Sequence, residues 1–131
     1  MSTTVLIVDD SPPIRRSLRA WLEQRGEWKV CGEAENGAVA VEKVKALSPD
    51  VVILDLSMPV MNGLEAAREI ASVAKTAMVL FTMHASEHLV KDAQNAGIKD
   101  VVSKSDGPAN LLASLENIVK NHGMKHNDGG S

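Results

Sequence analysis

Asp9, Asp10 and Asp55 are the residues from which chemistry in this chain starts. Asp9-Asp10 ends the apolar run Val5-Leu6-Ile7-Val8. Asp55 ends Val51-Val52-Ile53-Leu54 and opens the turn Leu56-Ser57-Met58-Pro59. Continuous Val/Ile/Leu runs read as strands buried on both faces of a parallel sheet. Open α/β sheets bind their ligands outside the carboxyl ends of such strands. Three carboxylates gathered there repel one another unless a cation joins them. Two further polar residues close apolar runs: Thr82 after Met78-Val79-Leu80-Phe81, and Lys104 after Val101-Val102-Ser103. Singly, each has an ordinary explanation, the Asp or Thr as a cap and the Lys as a solvated charge. Four strand ends that deliver an acidic pair, an Asp, a hydroxyl and an ammonium to one edge make a site.

The elements that must position these groups are legible as alternating patterns. Strand candidates lie near residues 4–9, 29–34, 51–55, 77–82 and 100–103, with helical periodicity between them. Ile14, Leu18, Trp21 and Leu22 share one face of the first helix, which Ser11 caps and Pro12 begins; Gly26 reads as its stop. Arg15, Arg16 and Arg19 fall off that stripe and read as solvated. The second helix follows Asn36-Gly37, with Ala40, Val41, Val44 and Leu47 inward, and Pro49 blocks its continuation. The third begins near Asn62-Gly63, with Leu64, Ala67, Ile70 and Ala71 inward. The fourth starts at Ser86, with Leu89, Val90, Ala93 and Ala96 inward and Gly97 as its cap. Leu111, Leu112, Leu115, Ile118 and Val119 mark the fifth. Trp28, in the short loop before the second strand, fits either local packing or exposure. Strand–helix alternation implies an α/β fold, a doubly wound five-stranded parallel sheet of order 2-1-3-4-5. In that order the first and third strands are neighbours whose crossovers diverge, so Asp9, Asp10 and Asp55 converge on one crevice.

With 131 residues the expectation is one domain over residues 1–122, with the glycine-rich 123–131 as a disordered tail or the start of a linker. The net charge of −3 carries no basic block of the kind that grips nucleic acid, and no apolar run reaches membrane-spanning length. Cys31 is the chain's single cysteine and reads as a small buried side chain. A cytoplasmic address follows.

These residues together resemble the receiver domain of bacterial two-component response regulators. The resemblance rests on Val8-Asp9-Asp10, on Leu54-Asp55-Leu56-Ser57-Met58-Pro59-Val60-Met61-Asn62-Gly63, on Thr82 and on Lys104. It runs from residue 4 to about 121. Gly32-Glu33-Ala34-Glu35-Asn36-Gly37 and the long Asp55 loop are similar to the subgroup that precedes a helix-turn-helix DNA-binding domain. The resemblance implies a flavodoxin-like (βα)5 fold and a phosphoacceptor role for Asp55, with a sensor histidine kinase as donor. It implies Mg²⁺ on Asp10, Asp55 and the Ser57 backbone carbonyl, with Asp9 acting through a metal-bound water. Lys104 would pair with Asp55 and then with a phosphoryl oxygen, to which Thr82 would also donate. Dimerisation on phosphorylation, and DNA contact only through an effector domain outside this chain, complete the implied picture. Such a protein catalyses only its own phosphorylation and dephosphorylation.

Three positions depart from the family's pattern. Val101 stands where an aromatic side chain is usual, Ser105 where a Pro commonly follows the Lys, and Met83 where a small residue is usual after Thr82. Ser57 and His84 occupy the variable positions that tune hydrolysis, so His84→Ala is expected to alter the lifetime of the phosphorylated state. His84 and His88 are spaced i, i+4 but read as exposed rather than metal-binding. Two other functions compete. One is a phosphatase with an aspartyl-phosphate intermediate, which the Asp9-Asp10-Ser11 order does not match. The other is a binding module that is never phosphorylated, for which Val101 and Met83 argue.

Overall fold

The computed structural model describes residues 2–121; the expected tail, 123–131, lies outside the described residues. Five strands form one parallel sheet: β1 (Thr3–Val8), β2 (Trp28–Ala34), β3 (Val51–Leu54), β4 (Ala77–Thr82) and β5 (Asp100–Ser103). Their order is β2-β1-β3-β4-β5, as the alternation predicts. The helices between and after them are α1 (Pro12–Glu23), α2 (Gly37–Leu47), α3 (Gly63–Val73), α4 (Glu87–Asn95) and α5 (Pro108–Asn121).

Alternate strand residues face opposite layers. Leu6, Val8, Val52, Leu54, Met78 and Leu80 pack beneath α2, α3 and α4. Val5, Ile7, Ile53, Val79 and Phe81 pack beneath α1 and α5, against Leu18, Leu22, Leu111 and Leu115. Each fully buried Leu or Ile stabilises the fold by about 1.5–3 kcal/mol relative to exposure, so the three central strands are the rigid frame. Trp28 is buried at the amino-terminal end of β2, beside Thr3 of β1. The β1–β2 register slips between Val5 and Leu6, leaving Cys31 as the extra residue; its thiol is half-buried rather than buried and contacts the Val5 carbonyl at 3.5 Å.

Side-chain caps begin the helices where expected. Ser11, Asn36 and Ser86 each accept an N–H from the first turn of α1, α2 and α4. Asn62 and Glu65 form a reciprocal capping box on α3, fixing where the loop from Asp55 ends. Three helix-face expectations are corrected. Leu47, Ala71 and Val90 are all exposed, because these helices bury a narrower stripe, with Ala66 the buried neighbour on α3. Gly26, at φ +69°, sits in the turn beyond α1, which already ends at Glu23.

Candidate functional site

The acidic site forms where β1 and β3 end side by side. Val8 pairs with Leu54, and the Asp55 amide donates to the Val8 carbonyl at 2.9 Å, so the two strands deliver Asp9 and Asp55 at one level. Asp9 and Asp55 are buried and Asp10 is exposed; one carboxylate oxygen from each lies within 4.8 Å of the others. An all-oxygen set of this kind suits a hard divalent cation.

Lys104, just beyond β5, supplies the compensating charge. Its Nζ lies 2.7 Å from Asp9 Oδ2 and 3.5 Å from Asp55 Oδ2, so its closer partner is Asp9 rather than the expected Asp55. The remaining oxygens are held by backbone: Ser11 N–H donates to Asp9 Oδ1 and Leu56 N–H to Asp55 Oδ1, at 2.9 and 2.8 Å. Burial, and then the negative charge of Asp9, push the Asp55 carboxyl above the usual carboxylate range; Lys104 and the Leu56 N–H only partly offset them.

That direction fixes a stability effect. A carboxyl whose folded pKa is raised contributes stability present below its unfolded pKa and lost as pH rises through the folded one. At neutral pH ionised Asp55 therefore destabilises the cation-free fold. Asp55→Asn is expected to raise its melting temperature by about 4 °C, from roughly 1 kcal/mol, and Mg²⁺ is expected to stabilise the variant less than the wild type. Calorimetric melts with chelator and with Mg²⁺ check this; a variant that melts lower under chelator would contradict it.

Thr82 ends β4 and is fully buried. Its Oγ1 accepts the His84 N–H at 3.1 Å, and no protein acceptor among the described residues takes its hydroxyl proton. Ser57 lies exposed in the loop between β3 and α3. Among the described residues no hydrogen bond joins Thr82 or Ser57 to the three carboxylates. The loop itself is tightly built. The Gly63 amide donates to the Leu56 carbonyl and the Gly37 amide to that of Met61. A Cβ on Gly63 would lie 2.3 Å from the Asp55 carbonyl oxygen, and one on Gly37 2.6 Å from that of Met61. Val60, 83% exposed, adopts φ +70° in a tight turn closed by Met61 N–H on the Pro59 carbonyl. Positive φ in a β-branched residue is strained.

After β5 a 3₁₀ turn, Lys104–Asp106, takes the place of a proline-containing turn, with Ser103 Oγ accepting the Ser105 N–H. Val101 is half-buried in the layer beneath α2–α4. Met83 is 61% exposed. It lines an apolar groove of about 440 Å³ that opens beside Lys104, walled by Ile14, Leu18 and Trp21 of α1 and by Phe81. His84 and His88 are exposed, as expected.

The solvated reading of α1's arginines holds for Arg16 alone. Arg15 and Arg19 both bind Glu33 of β2, and Arg15 also donates to the Asp9 carbonyl. Burial works against ionising Glu33, but hydrogen bonds and charge from Arg19 and Arg15 outweigh it and hold the carboxyl below its usual range. These residues escaped sequence reasoning because periodicity reports which side of a helix is apolar and says nothing of what its polar side touches. The available signal was Arg15 in the turn that follows Asp9-Asp10, where its side chain leans back toward the strand ends.

Comparison with known proteins agrees with this architecture. Residues 5–116 match the family model described as the response regulator receiver domain. The chain is 37% identical over 121 residues to the chemotaxis protein CheY of Thermotoga maritima, covering 92% of this chain and 100% of that protein. It is 34% identical over 116 residues to the transcriptional regulatory protein YdfI of Bacillus subtilis, covering 88% of this chain but only 54% of YdfI, so it spans about half that relative's length. The crystal structure of a LuxR-family two-component response regulator from Aurantimonas superposes with a TM-score of 0.87 at 31% identity, over 92% of this chain and 87% of that one. Among the described residues no helix is long and apolar enough to cross a membrane. A parallel sheet of this order, three carboxylates and a lysine at its carboxyl edge, and this breadth of likeness place the chain in the receiver domain family of two-component response regulators.

Proposed function

We propose that this chain is a phosphorylation switch in which Asp55 accepts a phosphoryl group from the phosphohistidine of a sensor histidine kinase. The observation that carries the reading is the buried Asp55 carboxylate, held with Asp9 and Asp10 within reach of one cation and 3.5 Å from Lys104. A carboxylate oxygen forms the new P–O bond as the P–N bond to the donor breaks, and the departing imidazole takes up a proton. Such transfers depend mainly on positioning and charge. Mg²⁺ fits the all-oxygen donor set; Asp10, Asp55 and the Ser57 carbonyl would hold it, with Asp9 through water, and it would neutralise charge on the transferred group. Lys104 is placed to leave the carboxylates for a phosphoryl oxygen. Thr82 has a hydroxyl proton to donate once that oxygen arrives, a contact made in one state only and therefore able to bias a two-state equilibrium.

The apolar groove beside Lys104 suits the landing of the donor protein. Changed affinity for partners or for a second copy follows phosphorylation. DNA contact belongs to a separate effector domain, and the site acts in the cytoplasm; YdfI, which this chain matches over about half its length, is named a transcriptional regulatory protein. A second reading, a module that binds without phosphorylation, draws on Val101, which removes the usual aromatic rotation from β5.

Intact mass after incubation with Mg²⁺ and a small phosphodonor decides between them. Wild type is expected to gain one phosphoryl group and Asp55→Asn none. No adduct on the wild type, beside a competent control receiver, would favour the second reading.

A further inference from the structure

Beneath the acidic cluster, a polar network ties α1 to the ends of β1 and β2. Arg15 places Nε 3.0 Å from Glu33 Oε1 and donates from Nη1 to the backbone carbonyl of Asp9. Arg19 Nε holds the other Glu33 oxygen at 2.7 Å, and Lys43 donates to the Glu33 carbonyl. The Arg15 side chain is 16% exposed and that of Glu33 27%, so the guanidinium is fixed on two sides in a half-buried setting. A planar guanidinium can serve two acceptors at once in fixed directions, which an ammonium on a flexible stem cannot do.

The target of this fork matters more than the ion pair. The Asp9 amide donates to the Ala34 carbonyl at 3.0 Å, and Arg15 holds the carbonyl at the other end of the same residue. Because the peptide unit is planar, fixing the Asp9 carbonyl oxygen also fixes the amide nitrogen and Cα of Asp10. Asp10 needs that support. Its carboxylate is exposed, and among the described residues nothing hydrogen-bonds to it. Asp9 has Lys104 and Ser11, and Asp55 has Lys104 and Leu56; the direction of Asp10 is set by its backbone alone.

We infer that Arg15, oriented by Glu33, is a positioning residue for the cation site, holding the Asp9–Asp10 peptide so that Asp10 faces the other two carboxylates. The inference rests on the metal site proposed above. It carries a sign that separates it from a simple charge effect. Arg15 is a cation near a cation site, so by Coulomb's law alone its removal tightens Mg²⁺ binding. Loss of positioning weakens binding instead. Outer groups that orient metal ligands typically carry tenfold or more in affinity.

The test is isothermal titration of Mg²⁺ into the full chain as wild type, Arg15→Lys and Arg15→Gln, with melting curves of each. Arg15→Lys keeps the charge and loses the fork; it is expected to bind Mg²⁺ several-fold more weakly. Arg15→Gln is expected to bind about tenfold more weakly despite losing a repulsive charge. A purely structural arginine would lower the melting temperature and leave the Mg²⁺ affinity of the folded protein unchanged, and that result overturns the inference. Tighter binding by Arg15→Gln also overturns it. If Arg15→Gln does not fold, Arg15→Lys decides: equal affinity overturns the inference and weaker affinity supports it. Wild-type protein that does not bind Mg²⁺ removes the cation site itself, and the inference with it.

Discussion

Lys104→Met is expected to lower the melting temperature of the cation-free protein by about 10 °C at neutral pH, and Mg²⁺ is expected to restore most of the loss. Lys104 is 10% exposed and serves two buried carboxylates. Methionine fills a similar volume, so the change removes charge more than packing. Breaking a buried ionic pair by removing one partner costs about 3–5 kcal/mol, because the other charge stays buried. The open mouth beside Asp10 admits water, which argues for the lower end, about 3 kcal/mol, or about 10 °C in a domain of this size. Burial and Asp9 already raise the Asp55 carboxyl. Without the ammonium it rises further, so the stability it contributes is present in acid and lost as pH rises through the folded value. The deficit should therefore shrink as pH falls from neutral toward the ordinary carboxylate range. Melts across that range, with and without Mg²⁺, test the claim; a deficit indifferent to both would show that Lys104 acts through packing.

Gly63→Ala should destabilise the fold by about 3 kcal/mol, the upper end of ordinary overpacking. Alanine is favoured over glycine in helices, by up to about 1 kcal/mol in an interior and less at the first helical position that Gly63 occupies, so propensity alone predicts the opposite sign. The clash decides. The new methyl would sit 2.3 Å from the Asp55 carbonyl oxygen and 3.1 Å from both the Asp55 carbonyl carbon and the Leu56 Cα, all backbone atoms that no rotamer change can move. The loop must lift from α3, carrying Ser57 with it, so Mg²⁺ affinity should fall together with stability. Gly26→Ala is the control: at φ +69° in open space it should cost only about 1 kcal/mol and leave Mg²⁺ binding alone. A Gly63→Ala protein as stable as wild type in denaturant titrations would reject the argument.

The strands and their order were legible because burial on both faces writes continuous apolar runs, and because alternation with helices leaves few topologies. The residues at the strand ends followed, since a polar group that closes each of four such runs has one edge to occupy. Two kinds of fact were not legible. Helix faces were misjudged at Ala71 and Val90, where small or β-branched apolar residues continue the periodic stripe onto an exposed face. Pairing among polar groups was also hidden. Nothing in the spacing says that Lys104 approaches Asp9 more closely than Asp55, or that Arg15 bridges Glu33 and the Asp9 backbone, because those choices depend on angles between elements far apart in sequence.

The two tryptophans give this molecule a divided optical signature. With no tyrosine and one phenylalanine in the chain, near-ultraviolet absorption and emission come almost wholly from Trp21 and Trp28. Trp28 is sealed at the pole of the sheet away from the acidic crevice, whereas Trp21 forms a wall of the groove beside Lys104 with the Arg25 guanidinium stacked 4.0 Å above its ring. An aqueous quencher therefore reaches one emitter and spares the other. The quenchable fraction of the fluorescence reads out occupancy of the groove, and the protected fraction reads out whether the sheet is intact.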